Sequence, residues 1–370
     1  MNKFVVVAAV ILIALFVFLR YRLTGIGHAA WMISGVVTAL LVLYPLVWYD
    51  VLPERINKIT RVVTHFDMGL LGLIFVFIII RDIVFVPLSF AKPGFFDPVF
   101  SGLATILIFG VSLLLLMLGY RHAQAGPVIK YVDIPVLNLA PSLQDYTILQ
   151  ISDLHAGPAI DRHYVENVIK KVKNIKVDII ALTGDIADGK FSKYHNRIAP
   201  IAELHDKAQV LYIPGNHEYL KDTGEWRSHF ERMGFKSLFN SHIVVNHNTA
   251  KLLFAGIIDP EVKDVDPTQK PDIQLAMRNA KPADLKILLS HRPDVANEAA
   301  AIFDLQLSGH THAGQLLPWS LFMKAFKPFA VGLNKCGKMW VYTNPGTGFW
   351  GPPIRLGTTS EITVLKLVKG

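Results

Sequence analysis

Along the first 120 residues of this 370-residue chain apolar positions run together, and along the rest they come in short bursts broken by polar segments. Four of the early runs approach or reach the roughly 20 residues that carry a helix across a bilayer: 4–19, 29–49, 66–86 and 99–118. Lys3 precedes the first and Arg20 and Arg22 follow it, as in a secretory signal, yet no small-residue cleavage site comes after. With three further spans behind it, an uncleaved helix is expected. Arg81 and Asp82 interrupt the third run near its far end. The arginine is expected to snorkel and the aspartate to pair with it.

From residue 119 the composition turns to Pro, Gly, Gln and Asn, with a β-like run at 132–139, as a tether leading into the first strand of a new domain. Beyond Tyr146, short runs rich in Ile, Val and Leu predict strands at 147–151, 178–182, 210–213, 252–257, 286–289, 305–307, 339–342 and 362–367. Amphipathic stretches between them predict helices near 161–173, 193–206, 222–233, 272–280 and 293–301. Such strands are buried on both faces, and helices between them indicate a layered α/β domain. The expected organisation is an all-α membrane region over 1–120 with about four transmembrane helices, a linker and first strand over 121–145, and an α/β domain over 146–370.

Composition agrees with that division. Hydrophobic residues make up 52% of the chain and charged ones 18%, against about 25% charged in soluble domains. Residues 1–125 carry nine Lys/Arg and five Asp/Glu, about 11% charged, whereas the remaining 245 reach about 21%. Disorder, collagen-like repeats and coiled coil are excluded, and the lone Cys336 excludes a disulfide scaffold. The net charge of +8 falls equally on the two parts and forms no block of like charges, so no nucleic-acid partner is expected. A mildly basic surface suits anionic lipid headgroups. Across four spans, Lys3, Arg55, Lys58, Arg61, Arg121 and Lys130 flank one side, and Arg20, Arg22, Arg81 and Lys92 the other. That excess predicts a multi-pass protein of the inner, cytoplasmic membrane with its globular half in the cytoplasm.

The informative polar residues sit where predicted strands stop. Ser152-Asp153-Leu154-His155 follows the run at 148–151, Thr183-Gly184-Asp185 the run at 179–182, and Pro214-Gly215-Asn216-His217-Glu218 the run at 210–213. Ser290-His291 follows 286–289, and Ser308-Gly309-His310-Thr311-His312 follows 304–307. Ligands of α/β sheets bind just outside the carboxyl ends of strands. Asp153, His155, Asp185, Asn216, His291, His310 and His312 make a donor set for two divalent metals sharing a bridging carboxylate, with His217 left over. In Asp-x-His and His-x-His the two donors leave alternate sides of a short extended segment, so each pair can straddle neighbouring metals. Glycines before Asp185, Asn216 and His310 are expected to allow tight turns out of the strands.

Asp-x-His (153–155), Gly-Asp-x-x-Asp (184–188), Gly-Asn-His-Glu (215–218), a lone His (291) and Gly-His-x-His (309–312), in that order, resemble the calcineurin-like metallophosphoesterases. The resemblance covers about Val128 to the C-terminus. The prelude Val132-Asp-Ile-Pro-Val-Leu-Asn-Leu and the tail Gly348-Phe-Trp-Gly-Pro-Pro-Ile-Arg-Leu-Gly357 resemble the YkuE-type phosphodiesterase branch, and the UDP-2,3-diacylglucosamine hydrolases are more distant. The resemblance implies a two-sheet αββα sandwich holding two divalent metal ions, Mn²⁺, Fe or Zn²⁺. Asp153, His155 and His312 would hold the first, Asn216, His291 and His310 the second, and Asp185 would bridge them together with a hydroxide. His217 would donate a proton or hydrogen bond to the leaving oxygen, and Asp188 would orient it. Protein phosphatases of the superfamily carry an arginine after that second Asp to grip the phosphate. Here Gly189 stands there, which favours a small-molecule or lipid phosphodiester.

The expected activity is that of a membrane-anchored, metal-dependent phosphoric ester hydrolase, a phosphodiesterase using metal-activated hydroxide. Its substrate would be a phosphodiester or pyrophosphate that is lipid or nucleotide-linked, and its partners the lipid bilayer and that small-molecule or lipid phosphoester. One alternative is a phosphoprotein phosphatase, which Gly189 disfavours. The other is a non-catalytic membrane sensor or transport protein on the same fold, which a missing donor would mark; no donor is missing. Arg355 is the candidate substrate-binding residue, reaching a phosphate or else a surface salt bridge. Asp259-Pro260 resembles a rim loop of the family. The stretch Leu316–Asn334, directly after His312, mixes apolar residues with Lys324 and Lys327. It either meets lipid chains and headgroups or caps the domain's own core.

Overall fold

The long apolar runs of the first third fold as helices: α1 (Lys3–Arg22), α2 (Ala29–Val42), α3 (Tyr44–Trp48), α4 (Glu54–Ala91) and α5 (Gly102–Gln124). The computed structural model describes residues 3–23, 26–49 and 51–370. It divides into two units, Met1–Arg121 with Gly351–Ile354, and His122–Trp350 with Arg355–Gly370. In the first, Leu19, Leu23, Ala30, Val37, Leu71, Ile74 and Ile78 form a buried cluster. Val17, Met32, Val36, Ile83, Leu107 and Leu114 stand exposed around it. Exposure to water would cost about 25 cal/mol for each Å² of such surface, a penalty that hydrocarbon removes.

Among the described residues three stretches are long and apolar enough to cross a membrane: Ala29–Trp48, Glu54–Ala91 and Gly102–Gln124. The predicted first span, 4–19, falls inside α1, though the side chains of residues 3–9, Lys3 included, lie outside the described ones. At 38 residues α4 extends well beyond the expected 66–86 and is about 57 Å long. Its first turns, Glu54–Asp67, are polar but contain no breaker. Arg81 does not snorkel. It is buried, its Nη2 lies 3.0 Å from Asp82 Oδ1, and Arg22 Nε reaches Asp82 Oδ2 at 3.0 Å. One carboxylate between two guanidiniums satisfies charges that apolar surroundings would otherwise penalise.

The second unit contains strands β1 (Val128–Val136), β2 (Thr147–Ile151), β3 (Ile179–Thr183), β4 (Gln209–Ile213), β5 (Lys236–Ser237), β6 (Ser241–His247), β7 (Ala250–Gly256), β8 (Leu285–Leu289), β9 (Leu305–Ser308), β10 (Gly332–Cys336), β11 (Met339–Thr343) and β12 (Glu361–Lys369). Its helices are α6 (Arg162–Val172), α7 (Phe191–Ile198), α8 (Asn216–Leu220), α9 (Thr223–Arg232), α10 (Ile273–Ala276), α11 (Ala296–Ala299) and α12 (Trp319–Phe326). Two six-stranded sheets have the orders β1-β12-β2-β3-β4-β5 and β10-β11-β9-β8-β7-β6. β2 to β5 are mutually parallel, as are β7, β8, β9 and β11.

Alternation within each apolar run builds the layers. Ile148, Ile179, Ala181, Leu211 and Ile213 of the first sheet join Leu252, Phe254, Ile287, Leu289, Leu305 and Leu307 of the second in the core between the sheets. The intervening Leu149, Ile151, Ile180, Leu182, Val210 and Tyr212 pack with Val165, Val168, Ile169 and Val172 of α6. That helix begins where the Asp161 carboxylate accepts the Tyr164 N–H at 3.1 Å. Leu253, Ala255 and Leu288 pack with Ile273, Ala296 and Ala299 of α10 and α11. The result is the αββα sandwich that the resemblance implies. The strands absent from the sequence reading, β5, β6 and β10, are short or lie at sheet edges, where half-exposed residues weaken the apolar run.

Candidate metal centre

The parallel strands of both sheets end on a common edge. Gln150, buried between the sheets, donates from Nε2 to Thr183 Oγ1 and to the Ser308 carbonyl, each at 2.9 Å. It thereby ties the ends of β2 and β3 to β9 of the opposite sheet. Three groups of donor atoms lie on that edge, each within 4.8 Å of one another: Asp153, His155 and His312; His155, Asp185 and His217; Asp185, His291 and His310. His155 and Asp185 each belong to two groups. His155 Nε2 and His312 Nε2 stand 3.0 Å apart, with Asp153 Oδ1 3.5 Å from the latter. His291 Nε2 lies 3.2 Å from both Asp185 Oδ2 and Asn216 Oδ1, and His310 Nδ1 is 2.9 Å from Asn216 Oδ1.

All seven candidate donors are thus brought together from five strand ends. Facing imidazole nitrogens at 3.0 Å need a proton or a cation between them, and Asp, His and Asn donors suit borderline divalent metals. The residues fit a metal pair. The backbone that presents them differs from expectation, because Asp153, His155, Asp185, His310 and His312 all have φ between 48° and 69°. Left-handed residues replace the extended segments read into Asp-x-His and His-x-His. Each costs on the order of 1–3 kcal/mol, and such strain persists only where surrounding contacts hold it. Of the three glycines expected to turn, only Gly184 has positive φ. Gly215 and Gly309 are required because Asp185 Oδ1 and Ser152 Oγ occupy the space a Cβ would take.

The contacts that hold this backbone include residues to which sequence reasoning assigned no role. Glu218 is fully buried; one carboxylate oxygen accepts from Asp185 N and Gly215 N at 3.0 and 2.8 Å, the other from Ile186 N and Ala187 N at 2.7 and 2.9 Å. It stands in the Gly-Asn-His-Glu motif, which was the available signal. Asp153 accepts the His310 N–H at 2.9 and 3.0 Å and the Ser152 hydroxyl at 2.6 Å. His291 Nδ1 lies 2.8 Å from the Thr183 carbonyl, which points its Nε2 at the donor cluster. His217 Nδ1 lies 3.0 Å from Asp188 Oδ1, and the Trp350 ring stands 5.6 Å from the His217 ring.

Arg355 is not where a substrate contact requires it. It is fully buried, donates to the carbonyls of His312 at 3.0 Å and Gly348 at 2.6 Å, and sets Nη2 3.2 Å from His312 Nδ1. Loop carbonyls consume the guanidinium, which positions the His312 ring instead of reaching the surface. Asp259 is likewise no open rim. Its buried carboxylate pairs with Arg292, Nε at 2.9 Å and Nη2 at 3.1 Å, beside His291.

Burial sets the charge state of the cluster and is modulated by its neighbours. It pulls the His155 ring down to about 3, with His217 adding to the effect. It pulls His310 to about 3, helped by His291, and His312 well below its ordinary value, helped by His155. At His217 burial acts downward too, but the Asp188 and Asp185 carboxylates outweigh it and raise the ring to about 9. At His291 the facing Asp185 outweighs burial and raises the ring to about 10. Asp185 is held well below the usual carboxylate range: burial raises it, and His291 and His217 more than reverse that.

Residues 146–314 match the calcineurin-like phosphoesterase family. The chain is similar to a "Transmembrane protein with metallophosphoesterase domain" of Bos taurus, 30% identical over 269 residues that cover 70% of this chain and 61% of that one. An uncharacterized metallophosphoesterase of Helicobacter pylori is 30% identical over 274 residues, 72% of either chain. The uncharacterized metallophosphoesterase YkuE of Bacillus subtilis is 29% identical over 231 residues, 60% of this chain and 79% of its own. The chain spans about three fifths of the length of the vertebrate relatives it matches.

Proposed function

The chain belongs to the calcineurin-like metallophosphoesterases, and on that premise we propose that it is a membrane-anchored phosphodiesterase. It would cleave a phosphodiester or pyrophosphate bond of a lipid or nucleotide-linked substrate. The observation that carries this reading is the convergence of six Asp and His donors, with Asp185 shared between groups, and of Asn216 Oδ1 beside His291 and His310. Asp153, His155 and His312 would hold one metal, Asn216, His291 and His310 the other, and Asp185 both. Mn²⁺, Fe and Zn²⁺ all suit such donors. Bound there, two divalent ions supply a water nucleophile of lowered pKa and neutralise charge developing on the phosphoryl oxygens.

The chain's own residues do the rest. His217, raised to about 9, carries a proton at neutral pH. Asp188 holds its Nδ1, so the proton delivered to the leaving oxygen is the one on Nε2. Gly189 supports a small-molecule or lipid diester over a phosphoprotein. Its φ is +83°, and a Cβ there would lie 2.7 Å from the Tyr194 ring, so no phosphate-gripping side chain fits at that position. The three apolar stretches support a membrane anchor, and α5 runs into β1 with three residues between them. With α1 counted as a fourth span, the excess of positive flanks supports placing the catalytic unit on the cytoplasmic side of the inner membrane.

Purified protein supplied with Mn²⁺ is expected to hydrolyse bis-p-nitrophenyl phosphate, and Asp185→Ala to abolish that turnover. Wild type inactive with Mn²⁺, Fe and Zn²⁺ alike, or equal rates for the variant, would sink the proposal. Phosphopeptide turnover exceeding diester turnover would replace it with the phosphatase reading. A C-terminal reporter active only outside the cytoplasm would reverse the orientation.

A further inference from the structure

In the apolar stretch after His312, Phe329 and Leu333 pack against the domain's buried clusters, whereas its first part caps no core. It forms α12, in which only Ser320 is buried. Trp319 is 51% exposed, Leu321 59%, Phe322 50% and Phe326 75%. Trp319, Phe322 and Phe326 recur at helical spacing on one face, their rings 5.9 and 6.0 Å apart in succession. Isolated exposed apolar residues need no explanation, whereas a contiguous aromatic patch marks a surface that something covers.

The surroundings say what covers it. No Asp or Glu occurs between Asp304 and Glu361, a stretch that includes Lys324, Lys327, Lys335 and Lys338, all exposed. Lys324 also lines a cavity of about 420 Å³ together with His122, Lys130 and Glu361, whose carboxylate pairs with Lys130 at 3.4 Å. An aromatic helix in a segment that carries lysines and no acids matches hydrocarbon under anionic headgroups. The patch adjoins the metal edge. Ser320 packs on Gly314, two residues after His312. Gln315 exchanges hydrogen bonds with the Trp350 backbone at 2.9 and 3.1 Å, and Trp350 stands against His217.

We propose that α12 and its lysines seat the catalytic unit on an anionic lipid leaflet, so that the phosphoester delivered to the site is borne by a membrane lipid. The second half of that statement rests on the hydrolysis proposed above; the docking does not. The test uses the full chain in nanodiscs of phosphatidylcholine alone or with phosphatidylglycerol. A polarity-sensitive fluorophore on Phe322→Cys, with Cys336→Ser leaving one thiol, is read for blue shift and for quenching by acyl-brominated lipid. Both are expected, more strongly in the anionic discs. Lys324→Glu with Lys327→Glu is expected to lower the docked-to-undocked ratio roughly tenfold there and to leave bis-p-nitrophenyl phosphate turnover unchanged.

A label that stays in water in both discs overturns docking. A shift that appears in detergent and grows with protein concentration assigns the face to a second copy and also overturns it. For the substrate, Trp319→Ser with Phe326→Ser is expected to raise KM for hexadecyl p-nitrophenyl phosphate in discs and to spare the soluble diester; equal losses on both overturn the lipid-borne substrate. Absent turnover of either diester by wild type removes the phosphoesterase reading, while the fluorescence still decides the docking.

Discussion

Around Asp153, His155 and His312 burial leaves both imidazoles neutral, His155 at about 3 and His312 lower than its ordinary value. Across the same edge, His291 faces Asp185 at 3.2 Å and is raised to about 10. One residue type, delivered by equivalent strand ends, is a ready lone pair at His155, His312 and His310 and a cation at His291. The Asp185 carboxylate at 3.2 Å makes the difference at His291, because its attraction there outweighs the burial that all four rings share. His155 and His312 would present lone pairs to a metal directly, whereas His291 would first give up its proton.

The hardest test of that contrast removes what the groups share. Asp185→Asn is expected to lower diester turnover by at least about 10³-fold, given several kcal/mol of metal-borne stabilisation, and to reduce the metal content of both groups by elemental analysis. Loss confined to the His291 side would show that Asp185 serves one group only. His217→Ala is expected to cost about 10²–10⁴-fold in kcat, the range for a lost general acid, with metal content intact. A lost metal would move His217 into the ligand set, where its place beside His155 and Asp185 also allows it.

Proton competition separates the groups directly. His291 must shed its proton to become a ligand, so affinity at the second group is expected to rise about tenfold per pH unit between pH 7 and 9, levelling near its value of about 10. Affinity at the first group should be flat there, falling only below about 6, where burial has raised Asp153. Calorimetric titration in buffers of different ionisation enthalpy counts the protons; equal pH slopes would erase the contrast. The smallest effect is expected for Glu218→Gln. Loosening the Asp185 loop should cost about 10–100-fold in metal affinity, typical of lost supporting hydrogen bonds, and should be felt by both groups that share Asp185.

Much of the centre was legible along the chain because its chemistry is local to strand ends. Runs such as Ile148–Ile151 and Ile179–Leu182 announce strands, and the candidate donors Asp153, His155 and Asp185 follow within four residues of them. Arg355 was misplaced for the opposite reason. Nothing in a Gly- and Pro-rich segment shows that the carbonyls of Gly348 and His312 will surround a guanidinium. Glu218 was visible as a motif letter, but its role depends on three N–H groups of the Asp185 loop and one, Gly215, of its own turn. In α12 an apolar helical face reads the same whether a core or a bilayer meets it.

The sequence by itself determined the two-part organisation, the layered α/β class of the second part and the set of seven candidate donors. Those follow from hydrophobic period and from which residue ends each apolar run, properties of neighbours in the chain. Tertiary structure alone decided which histidines face carboxylates, that five donors adopt left-handed backbone, that Arg355 is spent on carbonyls and that α12 is left uncovered. Charge state, strain and exposure depend on atoms brought close from distant positions, and the distances between them exist only once the sheets have packed.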